Sequence, residues 1–259
     1  MSRSFNVLAR TDVGLVRDGN EDSALSSARL IAVADGMGGH AGGEVASRIA
    51  INLLKDLGVI FAQATIDSES QEDLLMNISS SIDEKISLES KLNPELIGMG
   101  TTLTALHLGE KTVELLHIGD SRCYQWKSGK LIQLSVDHTV MQELIDQGRI
   151  TPEEALSHPQ RSLLTQALMG DSGIDPVLLV FPAEIGDYFL LCSDGLNSVL
   201  SDYEISEIIK KYPKEQSGLL DALTDAAKEK GAPDNITIIW AHIVDEMPSS
   251  DITLIGAAE

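Results

Sequence analysis

Two rhythms of apolar and polar residues share this chain. Short runs rich in Val, Ile, Leu and Thr recur at LIAVA (30–34), TLTALHL (102–108), TVELLHI (112–118), SRCYQW (121–126), YFLLC (188–192) and NITIIWAHIV (235–244). Their length and their β-branched content predict strands. KSGK (127–130) lies between two strand-like runs and predicts a hairpin turn. The second rhythm is helical. Over 44–61 apolar side chains fall at Val45, Ile49, Leu53 and Leu57, and over 71–92 at Leu75, Ile78, Ile82 and Ile86. Each set lines one face of a helix. Two further helices are predicted over 202–211, capped by Ser201 or Asp202, and over 216–230.

The order of these elements excludes a regular βαβ alternation. The strands at 102–108, 112–118 and 121–126 are joined by short turns, which means antiparallel pairing. Two helices come early and two late, and this predicts an α+β fold of layered sheets covered by helices. Residues 138–172 carry short helical pieces between two strand blocks and read as an inserted flap. Residues 1–244 are expected to form a single domain. The remainder, DEMPSSDITLIGAAE (245–259), reads as a C-terminal tail, either disordered or an extra edge strand.

Composition narrows the function. The 259 residues are 43% hydrophobic, enough for a sizeable core, and no run approaches a membrane-spanning length. The N-terminal MSRSFNVLARTD lacks the apolar core and cleavage site of a signal peptide, so a cytoplasmic location is expected. Cys123 and Cys192 sit in strand-like runs without a CxxC partner and read as buried, reduced thiols. The net charge of −21 argues against nucleic-acid and anionic-membrane partners. It does not exclude a phosphorylated substrate, because a cation held by carboxylates reverses the local sign.

The candidate chemistry lies at strand ends. Asp35 ends LIAVA, Asp120 follows LLHIG, Asp194 follows FLLCS, Asp234 precedes NITIIW, and Asp22 precedes SALSS. If SALSS and LIAVA form a hairpin, Asp22 and Asp35 share one end. The same reasoning brings Asp234 beside Asp35 and Asp194. One Asp-Gly pair is an ordinary turn signature, but several strand-end carboxylates together repel one another. A hard divalent cation with oxygen ligands relieves that repulsion, which points to Mg²⁺, Mn²⁺ or Ca²⁺. The absence of Cys/His clusters argues against zinc. Glycines after Asp35 and Asp194 would permit tight turns and close backbone approach. DGMGGHAGG lacks the Gly-Lys-Ser/Thr of a P-loop, and it lacks the βαβ setting of a dinucleotide fingerprint.

Eight ordered segments carry a resemblance: TDVGLVRDGNEDS (11–23), VADGMGGHAGGEVAS (33–47), GMGTTLTAL (98–106), HIGDSRCY (117–124), LSVDHT (134–139), LTQALMG (164–170), LLCSDGLNSVLSDYEI (190–205) and GAPDNITII (231–239). The chain resembles the metal-dependent Ser/Thr protein phosphatases of type 2C in their compact bacterial form. The resemblance implies a four-layer α-β-β-α sandwich of two antiparallel sheets flanked by helix pairs, with a flap near the site. It implies that Asp35, Asp194 and Asp234 hold two Mg²⁺ or Mn²⁺ ions, with the Gly36 carbonyl as a further ligand. Asp22 would bind through water, and Asp120 with Asp194 would hold a third ion. Arg17 would grip the substrate phosphate and His40 would be the general acid. Thr101 and Thr102 would pack or hydrogen-bond near the site, while His117 and His138 look structural.

The implied reaction is hydrolysis of phosphoserine and phosphothreonine in protein substrates by a monomeric enzyme. A metal-bridged water attacks phosphorus directly, His40 protonates the leaving alkoxide, and the Arg17 fork binds phosphate oxygens. Two rival readings are a phosphoprotein-binding module without turnover and a hydrolase of small phosphoesters. The first would ordinarily lack a ligand aspartate, and none is missing. Two departures from the family pattern stand out. Asn197-Ser198 replaces the usual Thr-Asp or Trp-Asp pair, and ALMG is one residue longer than the usual ALG.

Overall fold

A computed structural model describes residues 3–38, 42–63, 66–156, 158–171, 173–212 and 218–259. Strands β1 (Ser4–Asp12), β2 (Ser23–Ser27), β3 (Leu30–Ala34) and the two-residue β4 (Gly36–Met37) precede helices α1 (Gly42–Gln63) and α2 (Ser68–Leu92). Then come β5 (Gly100–Thr101), β6 (Leu103–Leu108), β7 (Thr112–Ile118), β8 (Arg122–Lys127) and β9 (Lys130–Gln133). The flap region carries α3 (Val140–Asp146) and α4 (Pro152–Leu156). Strands β10 (Val177–Pro182) and β11 (Tyr188–Cys192), helices α5 (Asp194–Asn197), α6 (Asp202–Lys211) and α7 (Leu219–Glu229), and strands β12 (Ile236–Val244) and β13 (Ile252–Gly256) complete the chain.

Two antiparallel sheets form, ordered β1-β12-β11-β8-β9 and β10-β7-β6-β3-β2-β13. Their central strands are buried on both faces, and alternation assigns each face to a different core. On β3, Leu30, Ala32 and Ala34 meet Ile51, Leu54, Leu75 and Ile82 of α1 and α2, whereas Ile31 and Val33 point between the sheets. On β12, Ile236, Ile238 and Trp240 meet Ile205, Ile209 and Leu223 of α6 and α7, whereas Ile239, Ala241 and Ile243 point between the sheets. Three cores therefore separate four layers, helices–sheet–sheet–helices, as the resemblance implies.

The helix ends follow local chemistry. Asp67 caps α2 by accepting the Ser70 amide at 3.0 Å, and Thr139 caps α3 by accepting that of Gln142 at 3.1 Å. Ser201 and Glu204 close a reciprocal capping box on α6. The 245–259 segment set apart above includes β13, which pairs with β2 in register Ile252↔Ser27 to Gly256↔Ser23. Ala258 beyond it joins the core under α1. Of the two readings given for this segment, the structure has the edge strand. Residues 216 and 217, expected to open the last helix, lie outside the described residues. Among the described residues no helix is long and apolar enough to cross a membrane.

Candidate metal centre

Antiparallel pairing carries the aspartates to one mouth. The β2–β3 hairpin pairs Ser23 with Ala34, which sets Asp22 and Asp35 at the same end. Ile118 of β7 pairs with Leu103 of β6, and this brings the Asp120 turn to that end as well. In the other sheet, Cys192 pairs with Ile238 and Asp12 with Ile236, so Asp194 and Asp234 flank the matching edge.

Electrostatics shows how close they lie. Asp22 is 1% exposed. Burial pushes its carboxyl up to about 7, with hydrogen bonds from Ser193 and Thr237 opposing and the charges of Asp194 and Asp234 adding. Burial raises Asp35 well above the carboxylate range, and Asp22, Asp194, Asp120 and Asp234 push it further. Burial and then Asp194 and Asp137 take Asp120 to about 8. Asp194 rises to about 6 by burial and the Asp234 charge, offset by Arg17 and a hydrogen bond with Asp35. The charges of the other four proposed ligand aspartates thus all act on Asp35.

The donor set fits a hard divalent cation. Its side-chain donors are carboxylate oxygens. Asp194 Oδ1 is buried without a hydrogen-bond partner, an unmet acceptor. Among the described residues no three acidic, histidine or cysteine side chains close on one point as a finished cage. The carboxylates repel one another and call for a counter-charge. Arg17 partly fills that role: its Nη2 donates to Asp234 Oδ2 at 2.7 Å, with side chains 49% and 31% exposed. The arginine expected on substrate phosphate therefore stands at the mouth, on a proposed metal ligand.

The backbone supports are specific. Asp35 donates its N–H to Thr102 Oγ1 at 3.0 Å, and its carbonyl accepts from Thr102 N at 2.9 Å and Thr101 Oγ1 at 3.0 Å. Gly36 pairs with Thr101, and a Cβ there would overlap the carbonyl oxygen of Gly43. A Cβ on Gly195 would overlap the Asn235 carbonyl oxygen, so only glycine lets α5 bring Asp194 against the start of β12. Space, not left-handed backbone, is what these two glycines supply; neither has a positive φ. Thr101 and Thr102 hydrogen-bond at the site as expected.

Three supports carried no signal strong enough to single them out in the sequence. Ser193 Oγ donates to Asp22 Oδ2 at 2.7 Å. Thr102 Oγ1 lies 2.8 Å from Ser121 Oγ beside Asp120. Asn235 is 4% exposed and donates to the carbonyls of Val13 and Gly19, each at 2.9 Å, while its Oδ1 accepts the Glu21 amide at 2.8 Å. One side chain thus staples the loop that presents Arg17 and Asp22. The clue was Asn235 beside a ligand aspartate, but Asp-Asn is ordinary strand-opening chemistry.

The remaining candidates divide. His40 lies outside the described residues. His117 is buried, its Nε2 donates to the Val136 carbonyl at 3.0 Å, and burial lowers its pKa to about 3, a neutral structural imidazole. His138 accepts the Gly119 amide on Nδ1 at 3.1 Å, and burial lowers its pKa. Cys123 and Cys192 are buried free thiols, both raised by burial, Cys192 to about 12.

Comparison with known proteins gives a consistent result. The family model described as Protein phosphatase 2C matches residues 15–230. The serine/threonine protein phosphatase PstP of Mycobacterium tuberculosis is 45% identical over 240 residues, covering 92% of this chain and 45% of that protein. The chain therefore spans less than half the length of those first curated relatives. The serine/threonine phosphatase Stp of Listeria monocytogenes is 35% identical over 235 residues, covering 89% of this chain and 92% of that one. Among solved structures, the catalytic domain of PstP in complex with two manganese ions is 40% identical with a TM-score of 0.84, covering 94% of this chain and 100% of that one.

Proposed function

We infer, for a chain that belongs to the protein phosphatase 2C family, that it hydrolyses phosphoserine and phosphothreonine in proteins with Mg²⁺ or Mn²⁺. The observation that carries this reading is the buried cluster of mutually repelling aspartates at one mouth, with Asp194 Oδ1 unmet. In this reading Asp35, Asp194, Asp234 and the Gly36 carbonyl hold two cations, Asp22 acts through water, and Asp120 with Asp194 accommodates a third. When bound, such cations would supply the positive charge a phosphate dianion needs and would lower the pKa of a bound water.

The chain's own groups do the rest. Ser193 and Thr237 orient the Asp22 carboxylate, and Thr101 and Thr102 fix Asp35 from its backbone. Arg17, at the mouth beside Asp234, would hold two phosphate oxygens, a geometry its planar guanidinium matches. His40, placed in the glycine-rich loop by sequence, donates the proton that the departing Ser or Thr alkoxide requires. Neither cysteine is placed to act as nucleophile: both are buried and held as thiols. The substrate partner is a phosphorylated protein. The two unpaired thiols suit a reducing cytoplasm.

The test strips metal with a chelator and follows phosphopeptide hydrolysis as Mg²⁺ or Mn²⁺ is restored. The expected result is activity that vanishes and returns with the ion; activity that persists without metal contradicts the reading. His40→Ala is expected to slow phosphoserine peptides more than aryl phosphates, whose leaving groups need no proton. An equal loss on both would remove His40 from the acid role.

A further inference from the structure

The flap meets helix α2 through one buried carboxylate. Asp83 is 3% exposed, and its Oδ1 accepts the amides of Met169 at 3.1 Å and Gly170 at 2.7 Å. Two N–H groups of one turn therefore aim at a single oxygen, a charge-assisted pair. The turn is also seated sterically. Gly170 has φ +77°, and a Cβ there would come within 2.5 Å of Ser87 N, one helical turn beyond Asp83. The run ALMG, a residue longer than the resembling family's ALG, contains this turn.

What the turn holds leads straight to the mouth. Leu168, fully buried, exchanges both backbone hydrogen bonds with Thr101, each at 3.0 Å. Thr101 in turn pairs with Gly36 and donates its Oγ1 to the Asp35 carbonyl at 3.0 Å. The adjacent Thr102 receives the Asp35 amide on Oγ1 and donates its own amide to the Asp35 carbonyl. Thr101 is thus gripped on one side by Asp35 and Gly36 and on the other by Leu168. The Leu168 side stays in place because Asp83 and Ser87 fix the next two residues.

We propose that Asp83 is a positioning residue of the mouth: by pinning the flap's return at 169–170 it holds Leu168 on Thr101, and through Thr101 the backbone of Asp35 and Gly36. Asp83 does not touch the site. Its effect on metal rests on the cation reading above; its effect on the backbone does not. Asn keeps an acceptor oxygen in the same place and preserves the pin, whereas Leu fills the space without it.

The experiment compares wild type with Asp83→Asn, Asp83→Leu and, as a control for lost stability, Leu75→Ala, a buried core position on the same helix. Amide hydrogen exchange is read at Thr101 and Thr102, and Mn²⁺ affinity by calorimetry. Asp83→Leu is expected to speed exchange at both amides and to weaken Mn²⁺ binding roughly 10-fold, the lower range for loss of an outer support. Asp83→Asn should retain both properties. Leu75→Ala should lower the melting temperature without moving either. The proposal is overturned if Asp83→Leu leaves the two amides as protected as in wild type, or if Leu75→Ala disturbs them equally. Should Asp83→Leu fail to fold, Gly170→Ala breaks the same seat from the flap side; unchanged exchange at Thr101 in that variant also overturns it. Should wild type bind no Mn²⁺, the cation reading falls and the exchange data alone decide the role of Asp83.

Discussion

Two acidic sites in this protein, Asp137 beside Arg122 and the mouth at the strand ends, are treated oppositely. Asp137 is held by Arg122, whose Nε and Nη2 reach both its oxygens at 2.6 to 3.0 Å, and by Gln133 Nε2 at 3.0 Å. Arg122 also meets Tyr124, whose hydroxyl donates to Asp202. Here the chain supplies a complete partner set, bidentate and from its own residues. At the mouth, Asp22, Asp35, Asp120, Asp194 and Asp234 share hydroxyl donors and one half-exposed arginine. The same sequence that pairs Asp137 bidentately gives the five mouth aspartates fewer cationic side chains of their own. A structural acid receives its counter-charge from the fold; a cluster left short of it is set up to receive one from solution.

The comparison breaks most visibly with pH. A carboxyl whose folded pKa is raised stabilises the fold fully below its unfolded pKa and loses that contribution as pH rises through the folded value. For Asp22, moved from 3.8 to about 7, the loss is on the order of 4 kcal/mol. Metal-free protein is therefore expected to lose stability between about pH 4 and pH 8, the latter the value reached by Asp120. Saturating Mn²⁺ should flatten the loss, which urea melts across that range will show. A flat profile without metal would mean the mouth is already neutralised.

Next in size is Arg122→Leu. It strands Asp137, whose side chain is 11% exposed, and should cost about 3 kcal/mol; because Arg122 and Asp137 also act on Asp120, and Asp137 on Asp194, a small part of that cost should respond to metal. A cost that metal repairs in full would contradict the separate role of the pair. The smallest effect concerns Arg17. Its exposed pair with Asp234 is worth below about 1 kcal/mol, so Arg17→Gln should tighten Mn²⁺ by no more than roughly fivefold while raising KM for phosphopeptides. Weaker Mn²⁺ binding in that variant would deny the competition.

What the sequence revealed follows the same division. The central strands β3, β6, β7, β11 and β12 are apolar on both faces and could be read directly from the chain. The strands it hid, β1 and β10, are sheet edges; the burial along VLLVFP is only partial. VLLVFP is apolar throughout, so its edge position does not explain why it went unread. On β1 the pattern dissolves into polar residues such as Asn6 and Arg10, as an edge position allows. β13, another edge, could be read as strand or as tail for the same reason. The five aspartates were legible because strand ends announce them. Ser193, Asn235 and Asp83 were not, because their partners lie far along the chain and are brought close only by folding.

Calorimetric titration of the chelator-stripped protein with Mn²⁺, at pH 6 and pH 9 and beside Asp194→Asn, asks most directly whether the mouth takes its counter-charge from solution. The account predicts at least two ions per chain, more protons released on binding at pH 6 than at pH 9, and loss of the tight site in Asp194→Asn. Absence of saturable binding, or binding indifferent to Asp194→Asn, would contradict it.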